Sequence, residues 1–356
     1  MKIGILTSGG DCPGINATIR GVCKTAINHY GMEVVGIHSG FQGLLTKEVE
    51  SFTEKSLSGL LNLGGTMLGT SREKPFRKQG IISDVDKPAL IQRNIAELGL
   101  DCVVCIGGNG TQKTAAKFAA MGINIVSVPK TIDNDIWGTD MTFGFYSAVN
   151  IATEAIDCIH TTASSHNRVF IVEVMGHKVG WLTLYAGIAS GADVILIPEI
   201  PYNIDKVVEA IERRKRNGSG FTILAVAEGA ISKEDAQLGK KELKKKMEED
   251  KKLYPSVSYK VAKEIEDRTG MEIRVTVPGH TQRGGSPCPY DRVLSTRLGS
   301  AAAKLILNDE YGYMVGLVNG KTKKVPLEEC AGKLKVVTPD AQEIKDAKRI
   351  GISFGD

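Results

Sequence analysis

CVVCIGGNGTQKT, residues 102–114, carries the pattern from which the fold can be read. An unbroken apolar run is what a strand buried on both faces of a sheet requires, and the glycines at 107, 108 and 110 turn it directly into a helical stretch. Those glycines allow a close backbone approach to an anion, and Thr111 is suited to cap the helix. Free N–H groups at the helix start attract phosphate.

The pattern repeats outward in both directions. IGIL near the start, EVVGIH at 33–38, INIVSV at 123–128 and VFIVEV at 169–174 are further apolar runs. VILI at 194–197, FTILAVA at 221–227, IRVTV at 273–277 and MVGLV at 314–318 continue the series, with candidate helices between most neighbours. Strands alternating with helices predict parallel sheets covered on both faces, whose ligands sit where loops leave the carboxyl ends of the strands.

With 42% hydrophobic and 24% charged residues, a chain of 356 residues is neither disordered nor fibrous, and its length predicts two compact domains. The balance of 45 Lys plus Arg against 41 Asp plus Glu leaves +4, too little for a general attraction to nucleic acid or an acidic membrane. No apolar run approaches the roughly 18 residues of a membrane helix, so a cytoplasmic protein is expected. Seven cysteines, with Cys102 and Cys105 inside an apolar run and no second pair at metal spacing, read as reduced core residues.

Four loops after strands hold the chemistry: SGGDCPGINA at 8–17, GGNGTQKT at 107–114, PKTIDNDIWGTD at 129–140 and PGHTQRGGSPCPYDR at 278–292. The first places Gly9 and Gly10 before a helix starting near Gly14 and Ile15. Its spacing fails the dinucleotide fingerprint because Asp11 stands where a second glycine belongs, which disfavours a dehydrogenase. No Walker P-loop is present either.

In PKTIDND, Asp133 and Asp135 lie two apart, and on an extended segment both would face the ligand crevice. Such a pair can divide the work, one carboxylate accepting a hydroxyl proton and the other holding a divalent metal; an Asx-type turn is the plain structural alternative. His280 and Arg283 flank Gly284 and Gly285 shortly after Arg274, and guanidinium groups pair with phosphate oxygens. Together the loops predict a kinase outside the P-loop class, acting on two phosphorylated ligands. The mixed-charge run KKELKKKMEEDKK at 240–252 has too little apolar surface for a core and predicts a solvated insertion helix.

TSGGDCPGINA, the GGT…GTSR run at 64–72, GGNGT, PKTIDND, ASSHNR, VEVMG, AEG and GHTQRGGSP, in this order, resemble 6-phosphofructokinases over roughly residues 1–320. The resemblance implies two doubly wound, Rossmann-like three-layer α/β/α domains with a ligand cleft between them. One would be a donor-binding domain, 1–142 plus about 281–331. The other would bind fructose 6-phosphate, about 143–280 plus 332–356, with a charged insertion at 231–258.

By the same resemblance Asp133 accepts the proton of the sugar's 1-hydroxyl, with Asp135 its partner and Thr131 near the moving phosphoryl group. Gly10, Phe41, Arg72, Arg77, Asn109, Gly110 and Thr111 fall at nucleotide and magnesium positions. Arg168, Met175, Gly176, His177, Glu228, Arg274, His280 and Arg283 fall at the sugar-phosphate pocket. In the family the equivalents of Arg168 and Arg274 come from a neighbouring subunit, which implies a homo-oligomer, a tetramer or dimer.

Departures from the family pattern bear on the donor. Pyrophosphate-using members have Asp where this chain has Gly110, and a carboxylate there would repel a nucleotide's inner phosphate. Lys130, found in pyrophosphate users, here accompanies Gly110, a combination resembling the subgroup in which ATP is the donor. His177 replaces an Arg of the better-known ATP enzymes, and Lys130 is expected to compensate for that lost charge. Asn109 replaces an acidic magnesium ligand, so Mg2+ would rest on the donor phosphates together with Asp133 or Asp135. Of the effector pocket Arg20 and Lys24 remain, but His160 replaces an Arg, predicting weak nucleotide-diphosphate activation. The expected reaction is transfer from ATP to fructose 6-phosphate. A pyrophosphate-dependent enzyme is the alternative, and a non-catalytic sugar-phosphate sensor is a remote one. His166, Tyr290, Asp291 and Arg292 are given cap, packing or surface roles.

Overall fold

The computed structural model describes residues 1–77, 85–166 and 168–356; Asn167 of the ASSHNR motif lies outside them. Eleven strands are formed among the described residues: β1 (Lys2–Ser8), β2 (Glu33–Ile37), β3 (Val49–Phe52), β4 (Cys102–Gly107), β5 (Ile125–Pro129), β6 (Val169–Val174), β7 (Val194–Leu196), β8 (Thr222–Ala227), β9 (Ile273–Thr276), β10 (Tyr313–Val318) and β11 (Lys321–Pro326). The chain divides into two compact units, residues 1–147 with 283–335 and residues 148–282 with 336–356.

In the first unit one sheet runs in the order β11-β10-β5-β4-β1-β2-β3. The inner strands are parallel, with Ile5 opposite Val104 on β4 and Gly36 on β2. On one face Leu6, Val103, Cys105 and Ile125 form a core with Ile91 and Ile95 of the helix Lys87–Glu97 and Phe118 of the helix Asn109–Ala120. The other face is served by the helices Ile15–Lys24 and Pro289–Leu307, which pack on each other. Both edge strands, β3 and β11, are antiparallel to their neighbours. The sequence pattern missed them because VESF and KTKKVP are polar; an edge strand has one unpaired side, and lysines there discourage pairing with another chain.

The second unit carries a parallel sheet, β7-β8-β6-β9. Ile171, Leu196, Leu224 and Val226 pack with Val207, Ile211, Val261 and Ile265 from the helices Ile204–Arg216 and Val257–Thr269. The helix Trp181–Ala189 covers the opposite face, where Gly187 lies against Ile195 and Ala225. Helices on both faces of each sheet make the three-layer architecture expected of the sequence.

The charged run forms the helix Lys240–Leu253 with no buried residue. It is tied down electrostatically, for Lys246 and Lys260 both reach the buried carboxylate of Asp235, and Lys260 also reaches Asp250 at 2.8 Å. The seven cysteines are free. Among the described residues no helix is long and apolar enough to cross a membrane.

Candidate active site

Loops leaving the carboxyl ends of β1, β4 and β5 bring Gly10, Asn109, Gly110, Thr111, Lys130, Thr131, Asp133 and Asp135 to one end of the first unit's sheet. β2 departs to one side of β1 and β4 lies on the other, which is the switch point where open α/β sheets bind ligands.

The turn after β1 passes into its helix through Gly14. At φ 105° this residue lies in the left-handed region, and a Cβ would sit 2.9 Å from Phe143 and Ser295. Asn16, just inside the helix, donates to the Leu63 and Gly64 carbonyls and accepts from the Met67 N–H, fixing the GGT run beside this turn. The Gly9 N–H donates to the Ser71 carbonyl at 3.1 Å and the Thr70 hydroxyl donates back to the Gly9 carbonyl at 2.6 Å. This exchange docks the segment carrying Arg72 and Arg77, both exposed, onto the glycine turn.

After β4 the helix begins at Asn109, with Gly108 as its cap. Thr111, expected as the cap, is instead within the first turn: its hydroxyl turns inward to the Ser8 carbonyl at 3.4 Å, because glycine at 108 already adopts the extended cap conformation. A Cβ on Gly110 would meet no atom of the described residues within 4 Å, so among them the space beside the helix start is open.

After β5 the chain is not extended as the spacing of the two aspartates suggested. Asn134, between them, has φ 52°, a left-handed kink that asparagine tolerates better than most residues. The kink is closed by the Thr142 N–H donating to Asn134 Oδ1 at 3.1 Å and by the Thr142 hydroxyl donating to the Thr131 carbonyl at 2.9 Å. Thr131 Oγ1 accepts the Asp133 N–H, and Asn109 Nδ2 donates to an Asp135 carboxylate oxygen at 2.6 Å. Asn109 Oδ1 is buried and has no hydrogen-bond partner among the described residues.

Two cations converge on the glycine turn. Lys130, 3% exposed, donates from Nζ to the Gly10 carbonyl. Arg283 donates to the Asp11 carbonyl at 3.2 Å, with Nη1 only 2.9 Å from where a Gly10 Cβ would be. Burial holds the Lys130 ammonium below its ordinary pKa, the Arg283 charge pushes the same way, and Asp11 and Asp133 oppose it. Cys12, buried beside them, has its thiol pushed up to about 12 by burial and is an inert core group. Phe41, expected near the nucleotide, is 1% exposed and packs on Phe118 with ring centroids 5.8 Å apart; its ring belongs to the core.

In the second unit Met175, Gly176, His177 and Glu228 gather beyond the carboxyl ends of β6 and β8. The Gly176 and His177 N–H groups both donate to the Glu228 carboxylate, at 3.3 and 2.7 Å, and the Met175 N–H donates to Gln282 at 3.2 Å. His280 is exposed in the short turn Gly279–Arg283 after β9. Arg168 and Arg274 are elsewhere: Arg168 precedes β6, and Arg274 pairs in register with Phe170 near that strand's start. Met175 lies seven residues beyond Arg168, roughly 23 Å at about 3.3 Å per residue, so one chain cannot bring them together on one small ligand. Glu272 bridges the two arginines, 2.9 Å from Arg168 and in contact with Arg274.

Sequence reasoning missed Gln282, Glu272 and, behind the Asp133 kink, Lys335. Glu272 could have been flagged from its place two residues before Arg274; nothing in the sequence points from Lys335 to Asn134.

Glycine turns, a carboxylate kink, a buried lysine and a half-buried arginine at the ends of parallel strands define a class of α/β proteins that hold phosphorylated ligands by backbone N–H groups and fixed charge. The phosphofructokinase family model matches residues 2–306, and the chain belongs to that family. It is 64% identical over 355 residues to an ATP-dependent 6-phosphofructokinase 3 of Bacteroides thetaiotaomicron, covering 100% of both chains. It is 52% identical to an ATP-dependent 6-phosphofructokinase of Spirochaeta thermophila, covering 99% of this chain and 97% of that one. A solved phosphofructokinase from Saccharomyces cerevisiae superposes with a TM-score of 0.80 at 34% identity, over 93% of this chain and 45% of the longer yeast chain.

Proposed function

We propose that this chain moves the terminal phosphoryl group of ATP to the 1-hydroxyl of fructose 6-phosphate, giving fructose 1,6-bisphosphate and ADP in glycolysis. The observation that carries this reading is the position of Asp133 just beyond β5, in the same set of turns as the buried Lys130 ammonium on the Gly10 carbonyl and the space at Gly110 that no described residue fills. The names of full-length relatives at 52–64% identity support the reaction and the donor.

Asp133 takes the hydroxyl proton as the sugar oxygen bonds to phosphorus and the bond to ADP breaks. Lys130, anchored on the Gly10 carbonyl, holds positive charge where negative charge builds up, so little reorganisation is needed, and Arg283, held on the Asp11 carbonyl, serves the sugar phosphate. Lys130 thereby makes up for the exposed His177 in place of a permanent cation. Arg72 and Arg77 grip the nucleotide phosphates, and Gly10, Asn109, Gly110 and Thr111 present backbone to them. Met175, Gly176, His177, Glu228 and His280 hold the sugar phosphate. Arg168 and Arg274 serve a neighbouring copy in a homo-oligomer, since their own chain holds them far from Met175.

Among the described residues no three His, Cys, Asp or Glu side chains form a metal cage. The buried, unpartnered Asn109 Oδ1 with Asp133 and Asp135 suits a Mg2+ ion that arrives largely ligated by the donor's phosphates. Bound there, the ion would neutralise phosphate charge.

Weak control by nucleoside diphosphates is part of this proposal: His160, which stands in place of an effector-pocket arginine, is engaged with the Ser190 carbonyl at 2.8 Å. The enzyme acts in the cytoplasm.

Purified protein offered ATP or pyrophosphate separately with fructose 6-phosphate tests the donor, and product formation with ATP is expected. Turnover with pyrophosphate alone would replace ATP as the donor. Binding of the sugar phosphate without turnover by either would make the chain a sensor. Asp133→Asn is expected to lose activity by at least about a thousandfold while still binding ATP.

A further inference from the structure

Behind the Asp133 kink, and contributed from 201 residues further along the chain, lies the side chain of Lys335. Its Nζ donates to Asn134 Oδ1 at 2.7 Å, to the Thr139 carbonyl at 3.0 Å and to the Asp140 carbonyl at 2.7 Å. Three rotatable N–H groups on a compact ammonium match three acceptors, a fit that the planar fork of an arginine cannot reproduce. The Lys335 backbone N–H also donates to the Asp135 carbonyl at 2.9 Å, and Leu334 bridges Ile136.

These contacts bear on the conformation of the aspartates because Asn134 stands between them at φ 52°. Rotation at that residue swings Asp133 and Asp135 apart. Asn134 Oδ1 is held at two points, by Lys335 and by the Thr142 N–H, and the remaining two Lys335 bonds secure the far limb of the same loop. We infer that Lys335 is a positioning residue for phosphoryl transfer, clamping the loop 131–142 so that the carboxylates of Asp133 and Asp135 keep the geometry the reaction needs. This rests on the reading of Asp133 as the proton acceptor.

The test is steady-state kinetics with ATP and fructose 6-phosphate on full-length Lys335→Met, Asn134→Gly and the double variant. Methionine keeps the length of the stem and removes all three bonds; glycine accepts the kink and removes the anchor. A 1 Å misplacement can cost on the order of a hundredfold, so each single variant is expected to lose at least about tenfold in kcat with both KM values within about threefold of the parent. The double variant is expected to be no worse than the weaker single one. A kcat loss under about tenfold in Lys335→Met, a loss in KM alone, or multiplicative losses in the double variant overturn the inference. If Lys335→Met does not fold, Asn134→Gly decides alone, and an unchanged kcat rejects the clamp. Asp133→Asn separates the two levels: if it stays active the functional reading fails, whereas an inactive Asp133→Asn beside a fully active Lys335→Met sinks only the clamp.

Discussion

The ammonium of Lys87, at 2% side-chain exposure, stands 2.7 Å from the Glu73 carboxylate, itself 8% exposed. Lys87 opens the helix Lys87–Glu97, and Glu73 follows Arg72 directly, so the pair pins the Arg72 segment to the body of the first unit. The same segment is held at Ser71 by the Gly9 N–H and at Phe76 by Phe118, with ring centroids 4.8 Å apart. Removing one partner of a buried pair leaves an uncompensated charge and costs about 3–5 kcal/mol, whereas removing both is often close to neutral. Lys87→Met is therefore expected to lower the denaturation midpoint markedly and to raise the KM for ATP through Arg72. Glu73→Gln with Lys87→Met should recover much of the stability. Equal destabilisation by the single and double variants, measured in urea, would reject the pair as a mutual support.

Gly110 makes the donor question accessible to one substitution. A Cβ there meets none of the described residues, and residue 110 lies in the first turn of its helix, where a negative charge is favourable, so Gly110→Asp should fold with stability within about 1 kcal/mol of the parent. The new carboxylate would project into the open space proposed for the nucleotide's inner phosphates. Like charges brought together cost several kcal/mol, so kcat/KM for ATP should fall by about a hundredfold or more. Retained activity with ATP would move the donor away from this helix start.

The legible part of this molecule is the part encoded locally. Apolar runs such as CVVCIG had to be inner strands because only a doubly covered sheet buries every residue, and glycine clusters after them marked the phosphate turns. The charge run at 240–252 showed its lack of a buried face directly. Other features depended on distant residues or on polar strands. β3 and β11 carry too little apolar signal, Phe41 could not be told from a ligand platform until Phe118 was seen beside it, and the Asn134 kink hid in a segment that spacing alone made look extended. Lys335 and Arg283 reach their turns from 201 and 272 residues away, a distance over which one sequence offers no pairing rule.

Asp291 offers a stability measurement independent of catalysis. Its side chain is fully buried, and one carboxylate oxygen accepts both the N–H and the hydroxyl of Ser147, at 2.8 and 2.6 Å. Burial raises its pKa above the ordinary 3.8, and the bonds from Ser147 and Gly144 only partly offset that. The folded chain thus holds this proton more firmly than the unfolded chain does. Between pH 3.8 and the raised folded value the native state binds more protons, so this group's contribution to stability falls as pH rises through that window and is constant above it. Asp291→Asn keeps an oxygen for Ser147 and removes the titration. Unfolding free energies of the two proteins, measured in urea at a series of pH values, should therefore differ by an amount that shifts steadily in favour of the asparagine form as pH rises from about 4 and then levels off. A difference that stays constant with pH, or one that shifts in favour of the aspartate form, would show that the carboxylate is charged and well compensated in the fold.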